Sequence, residues 1–142
     1  MELAGVSAMS IRYSTDVVIS AEQFVAVLNA STLGERRPVD DLARIQTMLA
    51  NADLIVTAWD GEKLVGVART ITDWCYAAYL SDLAVDQTYQ KQGIGRQLIE
   101  ATREKLGDQC SLVLLAAPAA ADYYAKVGFE WIERGWQIKR TH

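Results

Sequence analysis

The spacing of apolar positions changes period several times along the chain, and each change marks an element. Ile11 to Tyr13 reads as a short first strand. Ser20-Ala21-Glu22-Gln23 has the capping-box pattern that satisfies free amides at a helix start, and Phe24, Val27, Leu28 and Ser31 follow at helical spacing. Gly34 to Pro38 interrupts, and Leu42, Ile45 and Leu49 then predict a second helix, with Asp40, Arg44 and Thr47 directed elsewhere. Leu54 to Trp59 is rich in β-forming residues. Asp60-Gly61 signals a two-residue hairpin, because glycine tolerates the positive φ such turns need. Leu64 to Thr72 is the returning strand, and Ala77 to Val85 another, ending in Leu83-Ala84-Val85.

Beyond this point the helical period dominates. Leu98, Ile99, Thr102 and Leu106 share one helical face, opposite Arg96, Glu100, Arg103 and Glu104, and Gly107 is a natural stop. Leu112 to Leu115 is a continuous apolar run, the pattern of a strand covered on both faces. Ala120, Tyr123, Tyr124 and Val127 predict a last helix, ended by Gly128. Phe129 to Ile132 and Trp136 to Lys139 read as closing strands around a turn at Gly135. No repeats or linkers interrupt the pattern. Residues 10–142 form one α/β domain, and residues 1–9 read as a disordered N-terminal extension.

Composition narrows the function classes. Hydrophobic residues make up 51% and charged residues 23%, a globular balance. The net charge of −4 argues against a nucleic-acid partner. Two cysteines, Cys75 and Cys110, and the single terminal His142 supply neither a disulfide framework nor a metal site, so both cysteines are expected as small core residues. No segment approaches the roughly 18 apolar residues of a membrane span, and the N-terminus lacks the layout of a signal peptide. A cytoplasmic protein without membrane partners is expected.

Chemistry concentrates in Leu83-Ala-Val-Asp-Gln-Thr-Tyr-Gln90-Lys-Gln-Gly93-Ile-Gly95-Arg-Gln-Leu. A strand ends, a polar loop carries two glycines, and a long amphipathic helix begins. A helix start leaves backbone amides unpaired at the positive end of its dipole, and glycines let the backbone approach a ligand. Together they make a cradle for a diphosphate, with Lys91 and Arg96 at its rim. The P-loop is excluded by the missing Gly-Lys-Ser/Thr, and the dinucleotide fingerprint by Leu98 where its third glycine belongs.

Gln90-x-x-Gly93-x-Gly95 after an apolar strand resembles the coenzyme-A loop of the GNAT superfamily of N-acetyltransferases, usually Gln/Arg-x-x-Gly-x-Gly/Ala. Ala120-Ala-Asp-Tyr-Tyr124-Ala-Lys126-Val-Gly128-Phe129 is similar to that family's second conserved segment, in the same order and at the usual distance. The resemblance covers nearly the whole chain. It implies a mixed, mostly antiparallel sheet of about six or seven strands, splayed in the middle and flanked by about four helices. It implies acetyl-CoA as co-substrate and no metal. By the same resemblance Leu83, Ala84 and Val85 would hold the pantetheine arm as an added strand, with Leu83 N–H polarising the thioester carbonyl. Gln90, Lys91, Gln92, Gly93, Ile94, Gly95 and Arg96 form the pyrophosphate loop, chiefly through the amides of residues 92–96.

Chemistry in such a family is attack by a neutral amine, small-molecule or peptide, on the thioester. Tyr124 matches the tyrosine that protonates the departing thiolate, while Tyr123, about 100° round the helix, reads as structural. The base stays open between Asp82 and Tyr79. Asp82 reads equally as a residue that fixes the strand, and Asp86 as one that turns the chain. Ala117 stands where the family often carries an asparagine that bonds the coenzyme. Trp59, Trp74 and Tyr76 line an acceptor pocket, pack, or form a dimer surface. Glu35-Arg36-Arg37 either gates the acceptor or is a solvated charge run. A homodimer is expected. The rival to an amine acetyltransferase is a non-catalytic acyl-CoA-binding module, with a protein or peptide acetyltransferase as a third reading.

Overall fold

The computed structural model describes residues 10–142, so the expected N-terminal extension lies outside the described residues. Five strands form one sheet in sequence order: β1 (Arg12–Ser14), β2 (Leu54–Asp60), β3 (Lys63–Thr72), β4 (Ala77–Val85) and β5 (Ser111–Val113). The first four pair antiparallel, and β5 joins β4 in parallel. Four α-helices accompany them: α1 (Ala21–Ala30), α2 (Leu42–Ala50), α3 (Ile94–Leu106) and α4 (Ala121–Lys126).

Local chemistry accounts for the boundaries. The Ser20 hydroxyl accepts from Gln23 N at 3.0 Å while Gln23 Oε1 accepts from Ser20 N at 2.9 Å, so the capping box closes as expected. Asp41 caps α2 by accepting from Arg44 N at 3.1 Å. The β2–β3 hairpin turns one residue later than expected: Asp60 pairs with Lys63, and Gly61, at φ +60°, opens the turn. Gly107 ends α3 with φ +82°.

Two apolar layers sandwich the sheet. On one face Leu98, Ile99 and Leu106 of α3 pack against Val56, Ala58, Val65, Ala68, Ala78 and Leu80. On the other, Phe24, Val27 and Leu28 of α1 and Ile45 of α2 cover Trp59, Val67 and Ala84. Trp59 is therefore a core residue, its indole N–H donating to Thr57 Oγ1 at 2.8 Å.

β4 belongs to both layers because of a bulge. Arg69 faces Asp82 but Thr70 faces Leu80, leaving Ser81 as the extra residue. Side chains alternate faces along a strand, so one inserted residue turns every later side chain over. Ala78 and Leu80 pack under α3, whereas Ala84 packs under α1.

The C-terminal third departs from the expected pattern in three ways. The run Leu112 to Leu115 is not a doubly covered strand: β5 stops at Val113, and Ser111 and Val113 are exposed. Phe129 to Ile132 and Trp136 to Lys139 form no strands, so among the described residues the sheet has five strands where about six or seven were expected. Cys75 is exposed and Cys110 only half-buried, so neither is the buried core residue anticipated. No helix among the described residues is long and apolar enough to cross a membrane.

Candidate active site

β4 and β5 pair only through Ala77, Ala78 and Tyr79, opposite Ser111, Leu112 and Val113. From Leu80 to Val85 β4 has no strand on that side among the described residues, and the sheet opens into a cleft. Leu83, Ala84 and Val85 line its wall, still held on their other edge by Ala68, Val67 and Gly66 of β3. The Gln90 amide donates to the Val85 carbonyl at 2.9 Å and ties the following loop to the strand end. Asp86 shapes that loop, accepting from Thr88 N at 2.9 Å and Thr88 Oγ1 at 2.8 Å.

α3 starts at the mouth of the cleft. Lys91 and Gly93 take φ of +67° and +84°, which folds the chain back onto the helix start. The first helical donor is Gln97 N, 3.0 Å from Gly93 O, so the amides of Ile94, Gly95 and Arg96 precede the ladder. A Cβ on Gly95 would stand 2.5 Å from the Tyr123 hydroxyl and 3.9 Å from Val85 Cγ2. The strand end, helix start and α4 therefore converge on one small space. In the same loop, the Gln92 side-chain oxygen is buried without a hydrogen-bond partner among the described residues. Arg96 is less a rim charge than a brace, its guanidinium donating to Lys126 O at 3.0 Å. These residues fit a pyrophosphate-bearing coenzyme: donors at a helix start, a glycine where a side chain would intrude, and a free strand edge beside them.

The neighbouring tyrosines of α4 face different parts of the cleft. Tyr123 reaches Gly95 at the start of α3. Tyr124 lies deeper, edge-on to Tyr123 at 5.3 Å and to Phe129 at 5.5 Å. Burial pushes its phenol above the ordinary value, the Tyr123 phenol adds to the rise, and the Arg37 guanidinium partly offsets it.

Asp82 sits behind the bulge with a side chain 0% exposed. One oxygen accepts from Arg37 Nε and the other from Arg69 Nε. Arg37 also donates to the Ser81 carbonyl at 2.8 Å, and Arg69 to Ser81 Oγ at 2.9 Å and the Met48 carbonyl at 3.3 Å. With both oxygens engaged by guanidinium groups, Asp82 has the geometry of a clamp, not of a base with a free lone pair facing an amine. Arg37 accordingly leaves the solvated run it shares with Glu35 and Arg36 and latches the α1–α2 loop to β4. The sequence carried a signal for this cluster: Arg69 and Asp82 lie inside strands whose neighbours are apolar, where an unpaired charge is too costly.

Other expected residues lie elsewhere. Tyr79 joins Ile71 and Val113 in a cross-strand row at the closed end of the cleft. Trp74 and Tyr76 are exposed in the β3–β4 turn, where Asp73 Oδ1 accepts from Cys75 N, Tyr76 N and Ala77 N at 3.0, 2.8 and 3.1 Å. That turn is separated from the α3 start by the length of β4, about 26 Å at strand rise. Ala117 precedes a 3-10 turn, Pro118–Ala120, that leads into α4. The terminal His142 lies near α2, its carbonyl accepting from Arg44 at 3.4 Å.

Comparison with known proteins agrees with this architecture. The chain is 37% identical over 78 residues to the chloroplastic GCN5-related N-acetyltransferase 2 of Arabidopsis thaliana, covering 50% of this chain and 30% of that protein. It is 35% identical over 71 residues to the histone acetyltransferase TAP1 of Glycine max, covering 49% of this chain and 31% of that one. The chain thus spans less than a third of these curated relatives. A crystal structure from Staphylococcus aureus shares the fold with a TM-score of 0.76 at 24% identity, covering 92% of this chain and 99% of that one. A family model described as an acetyltransferase (GNAT) domain matches residues 51–131, more than half of the sequence, and the chain belongs to the GNAT acetyltransferase family.

Proposed function

We propose that this domain transfers an acetyl group from acetyl-CoA to a primary amine in a ternary complex, with Tyr124 as general acid. The observation that carries the reading is the convergence of β4, the α3 start and the two α4 tyrosines on one cleft. When bound, acetyl-CoA supplies an acyl thioester, whose C–S bond breaks as the N–C bond to the amine forms. Leu83 to Val85 align the pantetheine arm along the free edge of β4, and the amides of residues 92–96 hold the pyrophosphate. Tyr123, against Gly95, closes the phosphate end. Tyr124 gives its phenolic proton to the departing sulfur and regains one from solvent. Its raised pKa keeps it protonated at neutral pH, as an acid requires.

The acceptor's proton goes to water in this scheme, because Asp82 is clamped and Tyr79 stands at the closed end. A pH profile tests that assignment. With an alkylamine of pKa near about 10.4, kcat/KM should rise about tenfold per pH unit from pH 7 to 9, following the neutral amine. It should fall only after Tyr124 ionises, above the ordinary phenol value of about 10. A plateau between pH 6 and 8 would instead reveal a side-chain base.

Tyr124→Phe separates the enzyme from a non-catalytic acyl-CoA-binding module. Turnover, followed as thiol release, should drop at least about tenfold, with coenzyme affinity by calorimetry nearly unchanged. Unchanged turnover removes Tyr124 from the mechanism. The histone acetyltransferase relative favours a protein or peptide amine as the second reading of the acceptor. Lysine peptides and small amines compared in one thiol-release assay decide between them.

A further inference from the structure

The ion cluster behind the β4 bulge holds more charge than a clamp needs. Asp82 carries one negative charge, and its two partners, Arg37 and Arg69, carry one positive charge each. Their other acceptors are neutral: the carbonyls of Arg36, Ser81 and Met48 and the Ser81 hydroxyl. Among the described residues neither guanidinium has a second carboxylate within salt-bridge distance, so one positive charge is left in excess. One arginine would neutralise Asp82, and an uncompensated charge beside a buried strand is destabilising. A local departure of this kind marks a place where the charge acts on something else.

The excess charge has one outlet. Side-chain exposure is 0% for Asp82 and 6% for Arg69 but 22% for Arg37. Three bonds fix the Arg37 guanidinium: Nε to Asp82, Nη1 to the Arg36 carbonyl at 2.9 Å and Nη2 to the Ser81 carbonyl at 2.8 Å. Ser81 is the extra residue of the bulge, and it lies in the stretch of β4 that has no β5 partner. Arg37 is therefore anchored on the open part of the cleft wall, just beyond Tyr79, where pairing to β5 stops. Tyr124 faces the same cleft from α4, and among the described residues Arg37 is the one cation that draws its phenol down. The Tyr123 phenol acts the other way, and Arg96, which braces α4 at the Lys126 carbonyl, acts on Tyr123 instead. Asp122 and Lys126 stand two residues from Tyr124, about 200° round the helix.

We propose that Arg37 is a positioning residue for acyl transfer: fixed to Ser81 and Asp82, it holds the unneutralised charge of the cluster toward Tyr124 and assists proton transfer to the leaving sulfur. This role rests on the reading of Tyr124 as general acid. As the amine nitrogen bonds the carbonyl carbon, the C–S electron pair goes to sulfur, and sulfur takes the phenolic proton. The O–H pair stays on Tyr124 as a phenolate until solvent returns a proton. Burial resists that phenolate, and a fixed cation facing it lowers the resistance. A guanidinium already held by three acceptors needs no reorganisation as the charge develops.

The first measurement needs no turnover. In the full chain labelled with fluorotyrosine, fluorine NMR follows each phenol, and Tyr124→Phe identifies the Tyr124 signal. Arg37→Gln should raise that ionisation midpoint by about half to one pH unit, whereas Arg37→Lys, which keeps the charge, should leave it near wild type. Asp82→Asn removes the neutralising carboxylate and should lower the midpoint, so a loosened loop cannot mimic both signs. Whichever of the two opposed variants keeps the wild-type circular dichroism decides. In thiol release with saturating amine, Arg37→Gln should lower kcat about three- to tenfold with the coenzyme KM unchanged, and Arg37→Lys should recover most of it. A midpoint unmoved in a folded charge variant overturns the proposal and leaves Tyr124 as the acid. A lysine variant as slow as the glutamine variant also overturns it, by reducing Arg37 to a latch. Wild-type protein that releases no thiol while the midpoints move as expected overturns the acyl-transfer reading, and this role with it.

Discussion

The two walls of the cleft are built to different standards. β4 has nine residues, is paired along its length to β3, and has an ion cluster behind its bulge. β5 has three residues, two of them exposed, and the helix that follows it, α4, contains no buried residue. The wall that would align the coenzyme is thus part of the core, whereas the opposite wall is held at one end only. A group-transfer site needs one rigid template for the common donor. The other side is free to differ with the acceptor or to be finished by another element. Rigidity here is invested where the ligand does not vary.

That contrast can be broken most directly at the charge cluster. Asp82→Ala leaves two guanidinium groups facing each other beside a buried strand, and should cost about 3–5 kcal/mol in urea unfolding. Val113→Ala, on the exposed opposite wall, should stay within about 0.5 kcal/mol. Equal losses would show that the walls do not differ in the way described.

The proposed coenzyme loop sharpens the comparison, because two neighbouring glycines answer to different requirements. Gly93→Ala meets no atom within 4 Å, so its effect is backbone strain at φ +84°, a stability loss of about 1–2 kcal/mol. Gly95→Ala pushes only on the Tyr123 hydroxyl, the far end of a side chain that can swing away. Stability should barely change, while coenzyme affinity by calorimetry should fall about tenfold, or about 1.4 kcal/mol, from a methyl in the cradle. A reversal of the two outcomes would refute the assignment of Gly95 to ligand approach.

The smallest effect belongs to the closed end. Three amide donors hold the Asp73 carboxyl down at about 2, while an unfolded Asp titrates near about 3.9. A depressed pKa contributes stability that is complete above the unfolded value and is lost as pH falls toward the folded one. Protection of the Cys75, Tyr76 and Ala77 amides, measured against their intrinsic exchange at each pH, should therefore fall between about pH 4 and pH 2. In Asp73→Asn that pH dependence should vanish.

Much of the fold was readable residue by residue. The Ser20–Gln23 box, the limits of β4, and the α3 stripe ending at Gly107 are local: each depends on neighbours within a few positions, where spacing and side-chain chemistry suffice. The loop between β4 and α3 was legible for the same reason, since a strand end, two glycines and a helix start adjoin in sequence. Local pattern does not reveal the surroundings of Tyr123 and Asp82, because these come from distant segments, Gly95 for the one and Arg37 and Arg69 for the other.

By itself the sequence determined most of the helices and strands and where a glycine-bearing turn enters a long helix, because propensity, capping and hydrophobic period act locally. Only the tertiary structure decided what Asp82 does. The extra residue Ser81 turns it from the α3 face toward Arg69, and no periodicity shows a register shift before the partner strand is known. It also decided the fate of Phe129 to Lys139, whose pattern is that of strands but which form none. Pattern specifies that a segment can pair; whether an edge receives it depends on where the rest of the fold sends the chain.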